Sequence, residues 1–191
     1  MAALLYYNGA VVFAFFQFLG FATALIATPT AHFQLPEKGC YTMWGYRKYC
    51  GDIPYDATGV EAFGCSKRAS TMKVGAVFGV ISSILTFTTF ILAILLNTRF
   101  HQKLPRPVAP IIIGVAIVTT MISWACVASV KNTAMCDGKK FEHPYTAGFA
   151  LMIASWLFEI ISFPLYFLFA CGERLYEQDE EDLELDEKIE N

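Results

Sequence analysis

Charged side chains are scarce in this sequence. They make up 16% of its 191 residues, against 55% hydrophobic, and the mean hydropathy is +0.46. A soluble domain of this length needs a polar surface that such a composition cannot supply, so one membrane-embedded domain is the expectation. The formal net charge of −3 hides an uneven distribution, because ten of the seventeen acidic residues lie between Glu173 and Glu190. No basic patch with interleaved aromatics is present, which argues against a nucleic-acid partner. There is also no nucleophile–base pair, phosphate loop or metal constellation, so no enzyme and no cofactor are expected. The Asn-x-Ser/Thr sequon is missing as well: Asn8, Asn97 and Asn132 are followed two residues on by Ala or Arg, and N-glycosylation is not supported.

What is abundant is long apolar runs. Leu4–Thr28 is apolar apart from Asn8, Gln17 and two threonines, and Pro29 ends it. At roughly 1.5 Å per residue it crosses a hydrocarbon core of about 30 Å. A cleaved signal peptide fits less well, because a basic n-region is lacking and the run exceeds about 15 residues. Val74–Leu96, Val108–Val130 and Thr146–Ala170 complete four expected spans, the last broken or bent near Pro164. Residues 1–172 thus form a membrane domain with loops at 30–73 and 131–145, and residues 173–191 form an acidic tail able to extend the last helix or to fray in solvent. Between 30 and 73 the turn-rich pattern suggests short strands.

Orientation receives two opposing signals. Loops one and three together carry nine Lys and Arg residues against five in loop two and the tail, but long folded loops translocate largely regardless of charge. Cys40, Cys50, Cys65 and Cys136 all lie in loops one and three, which suits an oxidising compartment. The termini and tail are therefore expected in the cytosol, in a multi-pass protein of the plasma membrane. Arg99, His101, Lys103 and Arg106 in loop two would rest against anionic headgroups. Zinc ligand pairs sit two to four residues apart, unlike Cys40 and Cys50, so disulfides are the better reading. Four cysteines allow three pairings; Cys40–Cys50 with Cys65–Cys136 is favoured. Cys126 reads as a small packed residue, and Cys171 as a candidate for palmitoylation.

The stretch Cys40-Tyr-Thr-Met-Trp-Gly-Tyr-Arg-Lys-Tyr-Cys50 is compact, aromatic and bounded by cysteines. Trp44 could fill a small core there, Gly45 could take a turn conformation closed to other residues, and Arg47 could reach headgroups. The stretch resembles the signature of the amastins, four-span surface proteins of kinetoplastid parasites, at Cys40, Tyr41, Thr42, Trp44, Gly45, Arg47 and Cys50. Met43 and Tyr49 depart from it. The resemblance implies a surface role, lipid contact, and a homo-oligomeric, surface or host protein partner. It also implies a claudin-like fold, a four-helix bundle under a disulfide-stapled, β-rich extracellular cap.

Small and polar residues recur at three- and four-residue steps along all four spans, the pattern of a left-handed bundle in lipid. Gln17, Thr86, Thr119, Thr120 and Glu159 fall near one depth and suggest a midplane polar layer. An ionised carboxylate is costly there, so Glu159 is expected to be protonated and bonded to Gln17 or a threonine. The layer reads as an interhelical clamp or, alternatively, as the proton or ion pathway of a small channel or transporter. His32 and His143 lie at the cap and are read as surface residues with a lesser claim to acid sensing.

Overall fold

A computed structural model describes residues 2–35, 39–96, 108–136 and 138–190. Loop two (97–107) lies outside them, and so does the side chain of Cys171.

Helix α1 (Ala2–Ala27) leads into four short strands: β1 (Phe33–Gln34), β2 (Cys40–Tyr41), β3 (Gly45–Arg47) and β4 (Ala57–Thr58). Helix α2 (Gly59–Phe63), helix α3 (Ser66–Leu96), helix α4 (Val108–Asn132) and helix α5 (Ala147–Glu190) follow. Three helical segments are long and apolar enough to cross a membrane: Ser66–Leu95, Val108–Asn132 and Ala147–Leu168. Within α1 the described apolar stretch is shorter, Val11–Ala27. The helices pack as a ring in which α1 touches α5 and α3, and α4 touches α3 and α5.

Each helix turns one stripe inward. On α1 the buried positions are Phe13, Gln17, Gly20, Ala24 and Ala27; on α5 they are Gly148, Met152, Ser155, Glu159, Ser162 and Tyr166. Large apolar side chains such as Phe15, Ile84, Ile111, Val118 and Leu157 are left exposed on the outer faces. Small residues set the spacing between α3 and α4. A Cβ at Gly75 would lie 3.0 Å from Cys126 Cβ, and one at Gly79 would lie 3.2 Å from Ser123 Oγ. Ser123 Oγ also donates to the Gly75 carbonyl at 2.8 Å, a bond that requires the backbones to approach this closely.

Two expectations are corrected here. Helix α3 begins eight residues before the expected Val74, because its first two turns are polar yet good helix formers, and hydropathy locates the apolar part of a helix rather than its start. Of the two readings for Pro164, broken or bent, the break is excluded, since helix α5 runs through it. One missing N–H is a tolerable loss inside a bundle whose neighbours hold the helix on both sides.

The strands form one antiparallel sheet in the order β1-β2-β3-β4. With two or three residues per strand, the sheet cannot be stable alone. It is anchored to the loop between α4 and α5. Phe33 bridges Tyr145, Gln34 N–H donates to the Pro144 carbonyl at 3.2 Å, and Thr146 N–H donates to the His32 carbonyl at 3.0 Å. Gly148 N–H donates to the Ala31 carbonyl at 3.0 Å, and a Cβ at Gly148 would sit 2.5 Å from that oxygen, so glycine is required there. A Cys65–Cys136 disulfide joins the start of α3 to the same loop. Arg68, buried at 7% exposure, donates to the carbonyls of Phe63 and Lys139 and stacks 4.9 Å from the Phe141 ring.

Replacing both Cys65 and Cys136 by Ser should cost roughly 2–4 kcal/mol, less than a soluble loop of that length would suggest because lipid already restricts the intervening helices. The checks are thermal unfolding in detergent and protease sensitivity of residues 133–146, both of which should shift relative to wild type.

Candidate functional site

Two constellations stand out: the signature stretch in the cap and a polar seam in the bundle. In the first, Thr42 organises a tight turn. Its N–H donates to the Gly45 carbonyl at 2.9 Å, and its Oγ1 accepts from Trp44 N–H at 3.1 Å. Such a turn sends successive side chains to opposite sides. Met43 points inward, 1% exposed and packed with Met72, Ala76 and Val127, whereas Trp44 points outward and is 40% exposed. The expectation that Trp44 fills the core is therefore corrected: the apolar plug is Met43.

Gly45 is also explained differently. Its backbone does not adopt positive φ; instead a Cβ there would lie 2.4 Å from the Ala57 carbonyl across the β3–β4 pairing. Arg47 does not leave the cap for the headgroups, since its guanidinium lies 4.3 Å from the centre of the Tyr55 ring. Tyr41 is the aromatic centre of the cap, against Tyr46, Phe63, Phe141 and His143 at 5.0–5.7 Å.

The Cys40–Cys50 bridge is not closed in the structure. Cys40 is a buried thiol on β2, and Cys50, in the exposed turn after β3, is its hydrogen-bonding neighbour. Burial, then the Cys50 contact, push the Cys40 thiol up to about 12, with Arg47 opposing. Cys40 is thus a poor nucleophile at neutral pH. Cys126 faces Gly75 and is half-buried.

In the bundle, Gln17 and Glu159 do meet. Gln17 Nε2 donates to Glu159 Oε2 at 3.3 Å, and both side chains are 0% exposed. The threonine that completes this group is Thr89, whose hydroxyl donates to Gln17 Oε1. Thr86 bonds instead to the Ser83 carbonyl of its own helix. Thr119 and Thr120 bond back along α4, and Thr120 also meets Ser82 of α3. The expected single layer is therefore two polar contacts: α1–α3–α5 through Gln17, and α3–α4 through Ser82. Rotation about each helix axis decides this, and depth alone does not carry that information. Glu159 Oε1 has no hydrogen-bond partner among the described residues and lies against Gly20, where a Cβ would be 2.7 Å away. Gly20 is thus the residue that makes room for the carboxyl.

His32, read from sequence as a surface residue, is 0% exposed, and neither ring nitrogen has a hydrogen-bond partner among the described residues. Burial lowers its pKa to about 4, with the Ala27 carbonyl opposing the shift. His143, half-buried between Tyr41 and Phe141, is lowered too, by burial and by Arg68. No group of three or more His, Cys, Asp or Glu side chains that could hold a metal occurs among the described residues.

Comparison with known proteins places these features in context. Residues 18–166 match the family model described as amastin surface glycoprotein. No curated protein and no solved structure matches the chain.

A histidine whose folded pKa is depressed stabilises the fold above its unfolded value and loses that contribution as pH falls. With about 6.5 unfolded and about 4 folded, the cap junction should weaken by roughly 3 kcal/mol between those two pH values. Thermal stability measured from pH 7.5 to 4 should fall over that window, and His32→Gln should flatten the dependence.

Proposed function

The chain belongs to the amastin family of surface glycoproteins, and on that premise we propose that it is a non-enzymatic protein with a structural or interaction role at the cell surface. The cap is its contact element and the bundle its membrane anchor. The observation that carries this reading is the cap's outer rim: Trp44, Tyr49, Ile53 and Val60 are 40%, 54%, 87% and 54% exposed. These side chains sit on a segment paired into the sheet at β3 and β4, just ahead of the Cys65–Cys136 disulfide. Rigid aromatic and aliphatic side chains of this kind supply contact area at low entropic cost. The partner class we favour is a neighbouring copy or another surface protein, with a host protein as the family resemblance suggests.

In this reading α1 is a fourth span, the cap lies outside, and both termini are cytosolic in the plasma membrane. The Cys40–Cys50 pair, in contact as thiols, would be oxidised in that compartment. Closing that short loop would remove about 2–3 kcal/mol of unfolded-state entropy in the chain-entropy model. Glu159 acts as a clamp. It lies between one apolar cluster that includes Met72, Val127 and Met152 and another formed by Phe13, Ala93, Ala109, Ile113 and Tyr166. A pathway for ions would need continuous polar lining through both.

Ile53→Asp and Trp44→Ala together should reduce cross-linked oligomer or bound surface partner on intact cells several-fold without lowering surface abundance. Unchanged association would remove the cap from the role given to it. For the seam, Glu159→Gln should keep near-wild-type stability, whereas Glu159→Leu, which takes the acceptor from Gln17 Nε2, should cost about 1–2 kcal/mol. Proton flux in liposomes that wild type carries and Glu159→Gln abolishes would replace the clamp by the channel reading.

A further inference from the structure

Where the cap meets α3, a groove of about 480 Å³ is lined by Met43, Trp44, Val60 and Phe63 on one side and by Ser66, Ser70 and Lys73 on the other. The three α3 residues share one helical face, spaced i, i+4, i+7. Lys73 makes no ion pair or hydrogen bond with any described residue and is exposed. It is also the last charge before the apolar run of α3, so it marks the boundary of the hydrocarbon. From Lys73 up to Ser66 is about 10 Å of helix, comparable with the 5–8 Å depth of a headgroup layer. Below Lys73 the same face continues as Val77, Val80 and Ile84, exposed by 46%, 40% and 61%. Read from top to bottom, the surface offers hydroxyls, then a cation, then an apolar track.

That order matches one kind of molecule. We propose that the groove binds an anionic glycerophospholipid from the leaflet on the cap's side. Its phosphate would meet Lys73 and the hydroxyls of Ser66 and Ser70, its glycerol region the apolar wall at Trp44 and Val60, and one acyl chain the Val77–Val80–Ile84 track. The nearest acid in sequence, Glu61, is not among the lining residues, so the groove's charge is set by Lys73. The proposal rests on α3 being a membrane span; it shares Trp44 and Val60 with the cap's outer rim, and substitutions at Lys73 leave both in place.

The test uses the full chain in nanodiscs of phosphatidylcholine doped with phosphatidylglycerol, with retained lipid counted by native mass spectrometry. Phosphatidylglycerol should be enriched on the wild-type protein. Lys73→Gln should cut that enrichment about fivefold, the effect of one surface cation, while Lys73→Arg preserves it and Lys67→Gln, on another face of α3, leaves it unchanged. Circular dichroism confirms that each variant is folded. Equal retention by Lys73→Gln, or an equal loss from Lys67→Gln, overturns the site. Displacement of the lipid by soluble glycerol phosphate also overturns it, in favour of a free-phosphate site. None of these readings depends on cap-mediated association, so this proposal and the surface-contact role fail separately.

Discussion

A sheet whose strands are two or three residues long has almost no stability of its own, so the protein depends on what fastens that sheet to the helices. The fastening is the junction of Ala31, His32 and Phe33 with Pro144, Tyr145, Thr146 and Gly148. Backbone bonds there extend the sheet into the loop that precedes α5, and the Cys65–Cys136 disulfide and the Arg68 guanidinium close the same joint from the α3 side. Everything the cap presents outward follows from this joint. Trp44 can face solvent because Met43 takes its place inside, and Met43 is held against α3 and α4 by the turn that Thr42 sets.

The bundle solves a different problem. Between helices surrounded by apolar solvent there is little hydrophobic drive, so association depends on close packing and on a few polar contacts. Gly75 and Gly79 supply the first between α3 and α4, and Ser123 uses the resulting proximity. Gln17, Thr89 and Glu159 supply the second across α1, α3 and α5, at a point where Gly20 leaves space for a carboxyl. A buried acid set between two apolar clusters is costly unless partnered, which makes the seam a determinant of helix register as much as of stability.

Much of this was legible in the sequence, and the reasons for the misses are physical. Apolar runs and their small-residue stripes give the helices and the faces they turn inward, because both signals follow helical periodicity. The Gln17–Glu159 contact was legible from depth alone. Thr89 as its third member was not, since depth cannot say which of several threonines faces α1. The cap resisted more strongly. Whether Met43 or Trp44 enters the core, and whether Gly45 serves a dihedral or a close approach, turn on strand register, which strands this short do not encode locally. His32 was misread for the same reason: its burial comes from long-range pairing with Tyr41 and Thr146.

The disulfide between Cys65 and Cys136 encloses α3, α4 and the connection between them in one covalent ring. A chain broken between Leu96 and Val108 would leave two fragments still fastened through their sulfurs. Each half would keep its own pair of helices, α1 with α3 and α4 with α5, and the two would migrate as a single species until reduced. Scission between the two halves would therefore leave the cap attached until the disulfide is reduced.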